Sequence, residues 1–91
     1  MTLKIERLLA KHGMQIRLSG ELRGAQLPEV LTEIERDEQA VFLDLEEVNL
    51  VDVHAVRFLN ACEDRKIGLI NCALYVREWM LQERAAPPEV E

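Results

Sequence analysis

At 91 residues the chain has room for one small domain with one core. Its hydrophobic share of 48% is ordinary for a globular protein and excludes general disorder. A net charge of −6 argues against nucleic acid or anionic lipid as a partner, and a charged partner is expected to be basic.

No apolar run approaches the ~20 residues that a membrane span needs. Leu3-Lys4-Ile5-Glu6 alternates in polarity from the start, so no signal peptide is visible and a cytoplasmic location is expected. Residues 2–10 begin as a strand, with Leu3 and Ile5 on one face and Lys4 and Glu6 on the other. Lys11-His12-Gly13 is a tight turn, with Gly13 free to take a positive φ. Met14, Ile16 and Leu18 then alternate with Gln15, Arg17 and Ser19, which predicts a second half-buried strand paired closely with the first.

Residues 20–24 read as a loop. Pro28 suits the first turn of a helix, where a missing N–H costs little. Leu27, Val30, Leu31 and Ile34 then form the apolar stripe of an amphipathic helix. Glu29 near its start and Arg36 near its end complement the helix dipole. Val41-Phe42-Leu43-Asp44-Leu45 is apolar on both faces and predicts the central strand, with residues 46–51 as the loop after it.

Asp52 stands where the next helix needs an acceptor for its free N–H groups. That helix is predicted over residues 53–66. At ~100° per residue, Ala55, Phe58, Leu59 and Cys62 cluster on one side. His54, Arg57, Ala61, Asp64 and Arg65 fall on the opposite side, and Val53 projects near Arg57 and Asn60. Residues 67–72 predict a further short core strand containing Gly68. Residues 75–84 predict a last helix with Val76, Trp79 and Met80 toward the core. Leu81 points away, and with Tyr75 and Trp79 it offers either a partner patch or ordinary partial burial.

The order β-β-α-β-α-β-α places the chain in the α/β class. It implies a mostly parallel four-stranded sheet, with right-handed crossovers and helices packed on it. The domain spans residues 1–84, and residues 85–91 form a polar tail in which Pro87-Pro88 cannot continue a helix.

Catalysis is not expected. Ser19 is the single serine and ends a strand, and Cys62 lies on an apolar helix face. Cys62 and Cys72 read as reduced core thiols without CxxC spacing. No Cys/His cluster has metal spacing, and the four glycines are too scattered to cradle a phosphate, so no metal or cofactor is expected. Glu46, Glu47 and Asp52 lie where open α/β sheets place ligands, but they read more simply as loop acids and a helix cap.

Three segments carry a family resemblance: Ile16-Arg17-Leu18-Ser19-Gly20-Glu21-Leu22, then Val41-Phe42-Leu43-Asp44-Leu45-Glu46-Glu47-Val48, then Leu50-Val51-Asp52. Together the chain resembles the STAS domain of sulfate transporters and anti-sigma factor antagonists over residues 2–84. In antagonists of that family, a serine at the start of the second helix is phosphorylated to break a complex with an anti-sigma factor kinase. The resemblance implies a protein-interaction function with an anti-sigma factor, a kinase-like protein or a scaffold as partner. Asp52 matches the family aspartate, but Val53 and His54 occupy the two serine positions and Ala55 the glycine position. No phospho-acceptor hydroxyl is present, although His54 has a phosphorylatable ring.

Relative to the family, the chain is also short at its C-terminus. That leaves the strand at residues 67–72 as an open sheet edge, inviting a homodimer or cover by the tail. The expected partner-binding residues are Asp52, Val53, His54, Arg57, Asn60, Ala61 and Asp64. The alternative reading is a nucleotide- or lipid-binding module using the rim at Glu46–Asp52, which would require a concave, partly apolar pocket there.

Overall fold

The computed structural model describes residues 3–36 and 40–85. The expected strand start at Thr2, and residues 86–91 of the expected tail with Pro87-Pro88, lie outside the described residues, while Ala85, expected to open the tail, ends the last helix. The elements run β1 (Leu3–Ala10), β2 (Gly13–Leu22), a short 3-10 turn (Gly24–Gln26), α1 (Leu27–Glu35), β3 (Val41–Val51), α2 (Val53–Asp64), β4 (Gly68–Ile70) and α3 (Leu74–Ala85). The sheet order is β1-β2-β3-β4. β1 and β2 pair antiparallel as a hairpin, while β2/β3 and β3/β4 are parallel, so the α/β sheet is mixed rather than wholly parallel.

The hairpin turn requires glycine at residue 13. Its φ is 142°, and a Cβ there would run into the carbonyl oxygen of Ala40. That carbonyl accepts the Met14 N–H at 2.9 Å, which ties the start of β2 to the entry of β3.

β3 is longer than the sequence suggests. The expected loop at residues 46–51 is strand, and the expected loop at residues 20–24 gives way to β2 through Leu22. The register explains why. Arg17 faces Asp44, Ser19 faces Glu47 and Glu21 faces Leu50, so β3 carries two extra residues relative to β2. Each bulge shifts the alternation by one residue, and Glu-Glu-Val-Asn-Leu therefore has no clean period of two.

One face of the sheet carries the core. Ile16, Leu18, Leu43 and Leu45 are buried there. Val30 and Ile34 of α1, Ala55, Val56 and Leu59 of α2, and Val76 and Met80 of α3 join the same cluster. Arg7 fastens α1 to β1, donating to the Glu33 carbonyl at 3.0 Å and to Glu33 Oε1 at 2.9 Å.

The opposite face of β3 was expected to be apolar and is built around a carboxylate instead. Asp44 is 1% exposed. It accepts from Gln15 Nε2 at 3.0 Å, Arg17 Nε at 3.3 Å, Asn71 Nδ2 at 3.0 Å and the Glu46 N–H at 3.1 Å. Burial opposes its charge, but these donors and the Arg17 guanidinium outweigh it and hold the carboxyl below its usual value. One side chain thus joins β2, β3 and the turn after β4, where Asn71 takes a φ of 58°. Phe42 lies over Gly68 on the same face. A Cβ at Gly68 would sit 2.5 Å from Phe42 Cδ2.

β4 covers fewer residues than the expected 67–72, and α2 stops at Asp64 before a turn in which Lys66 has a φ of 69°. β1 and β4 are the two edges of the sheet. Among the described residues, no helix is long and apolar enough to cross a membrane.

Candidate functional site

The candidate site is the junction between β3 and α2. Val51 ends the strand, and Asp52 stays extended at φ −115° and ψ 179° before the helix begins. Asp52 Oδ1 accepts the Ala55 N–H at 2.9 Å, the geometry of an N-cap. Oδ2 accepts the Gly24 N–H at 3.0 Å from the turn after β2. One carboxylate therefore caps α2 and clamps a segment 28 residues earlier in the chain. Burial raises its pKa, but the N–H groups of Gly24 and Ala55, helped by the charges of His54 and Arg23, bring the net value down.

Gly24 was not foreseen at this site. Its lack of a side chain lets the His54 ring lie against the backbone, since a Cβ there would come within 3.3 Å of His54 Cβ and Cδ2. No local motif announces that contact. It arises because the pairing of Leu22 with Val51 brings the two strand ends side by side.

The remaining predicted residues lie on α2. His54, Arg57, Ala61 and Asp64 are exposed, while Asp52 and Val53 are half-buried. Asn60 is a correction: it was expected on the open face and is buried, 8% exposed. The reason is α3, which packs along that flank of α2. Asn60 Nδ2 donates to the Met80 carbonyl at 3.0 Å, and Arg84 Nη2 donates to the Asn60 carbonyl at 3.0 Å. Asn60 Oδ1 is buried without a partner among the described residues.

The same packing engages two of the exposed positions. Arg57 Nε donates to Glu83 Oε1 at 2.9 Å, and Arg84 Nη1 lies 3.2 Å from Asp64 Oδ1. Arg77 adds a 2.6 Å bond to Glu63. The exposed part of the face left over thus centres on His54, in the first turn of the helix, and Ala61, about two turns further on.

On α3, Trp79 is half-buried and packs against the core. The exposed apolar residues there are Leu74, Tyr75 and Leu81, at 73%, 51% and 59%.

The rim beside the junction holds a shallow apolar cleft with an interior of about 10 Å³, room for one water. Leu22, Leu45, Val48 and Val51 line it from the sheet. Leu59 of α2 closes one side, and Cys72, Ala73 and Val76 the other. Among its lining side chains the polar one is the Cys72 thiol, whose pKa burial raises. Cys62 is buried in the core, and burial pushes its thiol up to about 11. Both cysteines are therefore protonated and weakly nucleophilic near neutral pH. Among the described residues, no cluster of three or more His, Cys, Asp or Glu could hold a metal ion.

Comparison with protein-family models and with curated proteins finds no match for the chain.

Proposed function

We propose that this is a STAS-like, non-catalytic protein-interaction domain of the anti-sigma factor antagonist type. It would bind an anti-sigma factor, a kinase-like protein or a scaffold through the start of α2. The observation that carries this reading is the Asp52 clamp. It fixes the first turn of α2 against Gly24, on a helix that exposes His54 and Ala61. Preorganised side chains of this kind reduce the ordering cost of binding.

With Val53 and His54 at the serine positions of the family, no hydroxyl serves as a phospho-acceptor in the first turn. Binding on this reading is constitutive, or is regulated from the partner's side. The net charge of −6 fits a partner with a basic contact surface.

The test is affinity capture from the native cells with the parent protein and the His54→Arg/Ala61→Arg variant. Both sites are exposed, so the variant should fold. Capture of an anti-sigma or kinase-like protein by the parent, lost with the variant, supports the reading. Equal capture by both refutes the assigned face.

The second reading, a nucleotide or lipid site at the Glu46–Asp52 rim, draws support from the cleft. Its interior of about 10 Å³ is far below the ~300–1,000 Å³ usual for small-molecule pockets, and its lining offers almost nothing to orient a nucleotide.

A further inference from the structure

α3 occupies one flank of the α2 face. Asn60 donates to the Met80 carbonyl, and Arg57 reaches Glu83. Arg84 spans Asp64 and Glu63, at 3.2 and 3.6 Å, and Arg77 bonds Glu63. The flank thus displays the chemistry of the helix it accepts. A carboxylate stands against Arg57, and guanidinium groups stand against Glu63 and Asp64.

The grip of α3 is largely polar. Of its twelve residues Val76 and Met80 are buried, and Trp79 is half-buried. α2, of equal length, buries five residues. The ion pairs stand partly in water, with the Arg57 and Asp64 side chains 53% and 67% exposed. Such pairs contribute little each and are screened by salt. The interface also buries the orphaned Asn60 Oδ1, which regains water when the helices part. Residues 71–73 link α3 to β4, an edge strand of three residues. Asn71 is bonded to Asp44, so the sheet end of that link is fixed and α3 can part from α2 as a unit. Few buried apolar side chains and solvent-exposed pairs mark a segment that opens before the rest of a fold.

We propose that α3 is a displaceable cover, and that the α2 flank carrying Arg57, Asn60 and Asp64 is a docking surface for a partner helix of the same pattern. That helix places an acid against Arg57, lysine or arginine against Glu63 and Asp64, and apolar side chains where Val76 and Met80 now pack. The inference rests on the α2 reading for the role of that helix, and it names the partner's chemistry at the covered flank.

Hydrogen exchange of the full chain, read by mass spectrometry, measures the opening. Amides of α3 should exchange at least about a hundredfold faster than those of β2 and β3. Raising salt from about 0.01 M to about 1 M shortens the screening length from ~30 Å to ~3 Å. Exchange in α3 should then quicken about tenfold, with β2 and β3 little changed. The docking surface is probed with a labelled peptide of the α3 sequence, residues 74–85. The chain with Arg77→Glu/Glu83→Arg/Arg84→Glu repels its own α3 and leaves the flank itself unaltered. It should bind the peptide at least about tenfold more tightly than the parent, whose own α3 competes at high effective concentration. A peptide carrying the same three reversals should lose that gain.

Exchange of α3 in step with β2 and β3 at both salt concentrations overturns the cover. This measurement needs no variant, so it decides even if the reversals unfold the chain. Equal peptide binding by a folded variant and the parent overturns the docking surface. Either failure leaves capture through His54 and Ala61 as it stands. Capture unaffected by His54→Arg/Ala61→Arg, with the peptide still bound as expected, refutes the exposed α2 face alone.

Discussion

Replacing Asp52 with alanine should lower stability by about 2.5 kcal/mol. The cap bond to the Ala55 N–H contributes about 1 kcal/mol, the typical value for an N-cap. The charge-assisted bond to the Gly24 N–H, which is partly buried, contributes about 1.5 kcal/mol. For a domain of this size the sum corresponds to a fall in Tm of about 10–20 °C. Asp52→Asn keeps one acceptor and should lose about half as much.

The pH dependence gives a second signature. The native carboxyl is more acidic than the same group in the unfolded chain, which titrates near pH 3.9. Its ionised form therefore stabilises the fold. That stabilisation is complete above about pH 5 and fades as pH falls through the unfolded value and then the lower native one. Asp52→Ala lacks this dependence, so the gap between the two proteins should narrow below about pH 4. Urea unfolding followed by circular dichroism, repeated from neutral to acid pH, measures both effects. A loss under about 0.5 kcal/mol, the range of unremarkable surface substitutions, would refute the clamp, as would a gap that stays constant into acid.

Three further substitutions probe the frame around the site. Asp44→Ala strands the Glu46 N–H and leaves Gln15, Arg17 and Asn71 to recover solvent; urea titration should show a loss of about 3 kcal/mol. Asn60→Leu removes the bond to the Met80 carbonyl but also the orphaned Oδ1, so the two effects should offset to within about 1 kcal/mol in the same assay. Gly13→Ala forces a Cβ onto the Ala40 carbonyl at a φ suited to glycine, and thermal melting should show a loss above about 2 kcal/mol.

Much of this architecture is legible in the residues alone. Strict alternation in Met14–Ser19 marks β2, and the i, i+3, i+4 stripe in Leu27–Ile34 marks α1, because each repeat matches the period of its backbone. Asp52 is recognisable as a cap because it falls between an apolar strand and a helical repeat. The second half of β3 is hidden, since two bulges erase its alternation. The burial of Asn60 is hidden for a different reason. A helical wheel assigns faces to α2 in isolation, and the docking of α3 depends on pairs such as Arg57–Glu83 that lie 26 residues apart. Asp44 reads as one polar residue in an apolar strand until Gln15, Arg17 and Asn71 are seen converging on it. The cleft is equally unreadable, because its walls come from four separate segments.

The most direct test of the interaction role is a binding titration by calorimetry. The protein captured from the native cells is purified and titrated with the parent chain and with His54→Arg/Ala61→Arg, both first shown to have matching melting curves. Saturable binding by the parent that weakens by at least about a hundredfold in the variant, a loss of hot-spot size, is the expected result. Equal affinity for both proteins would contradict the assignment of α2 as the binding face.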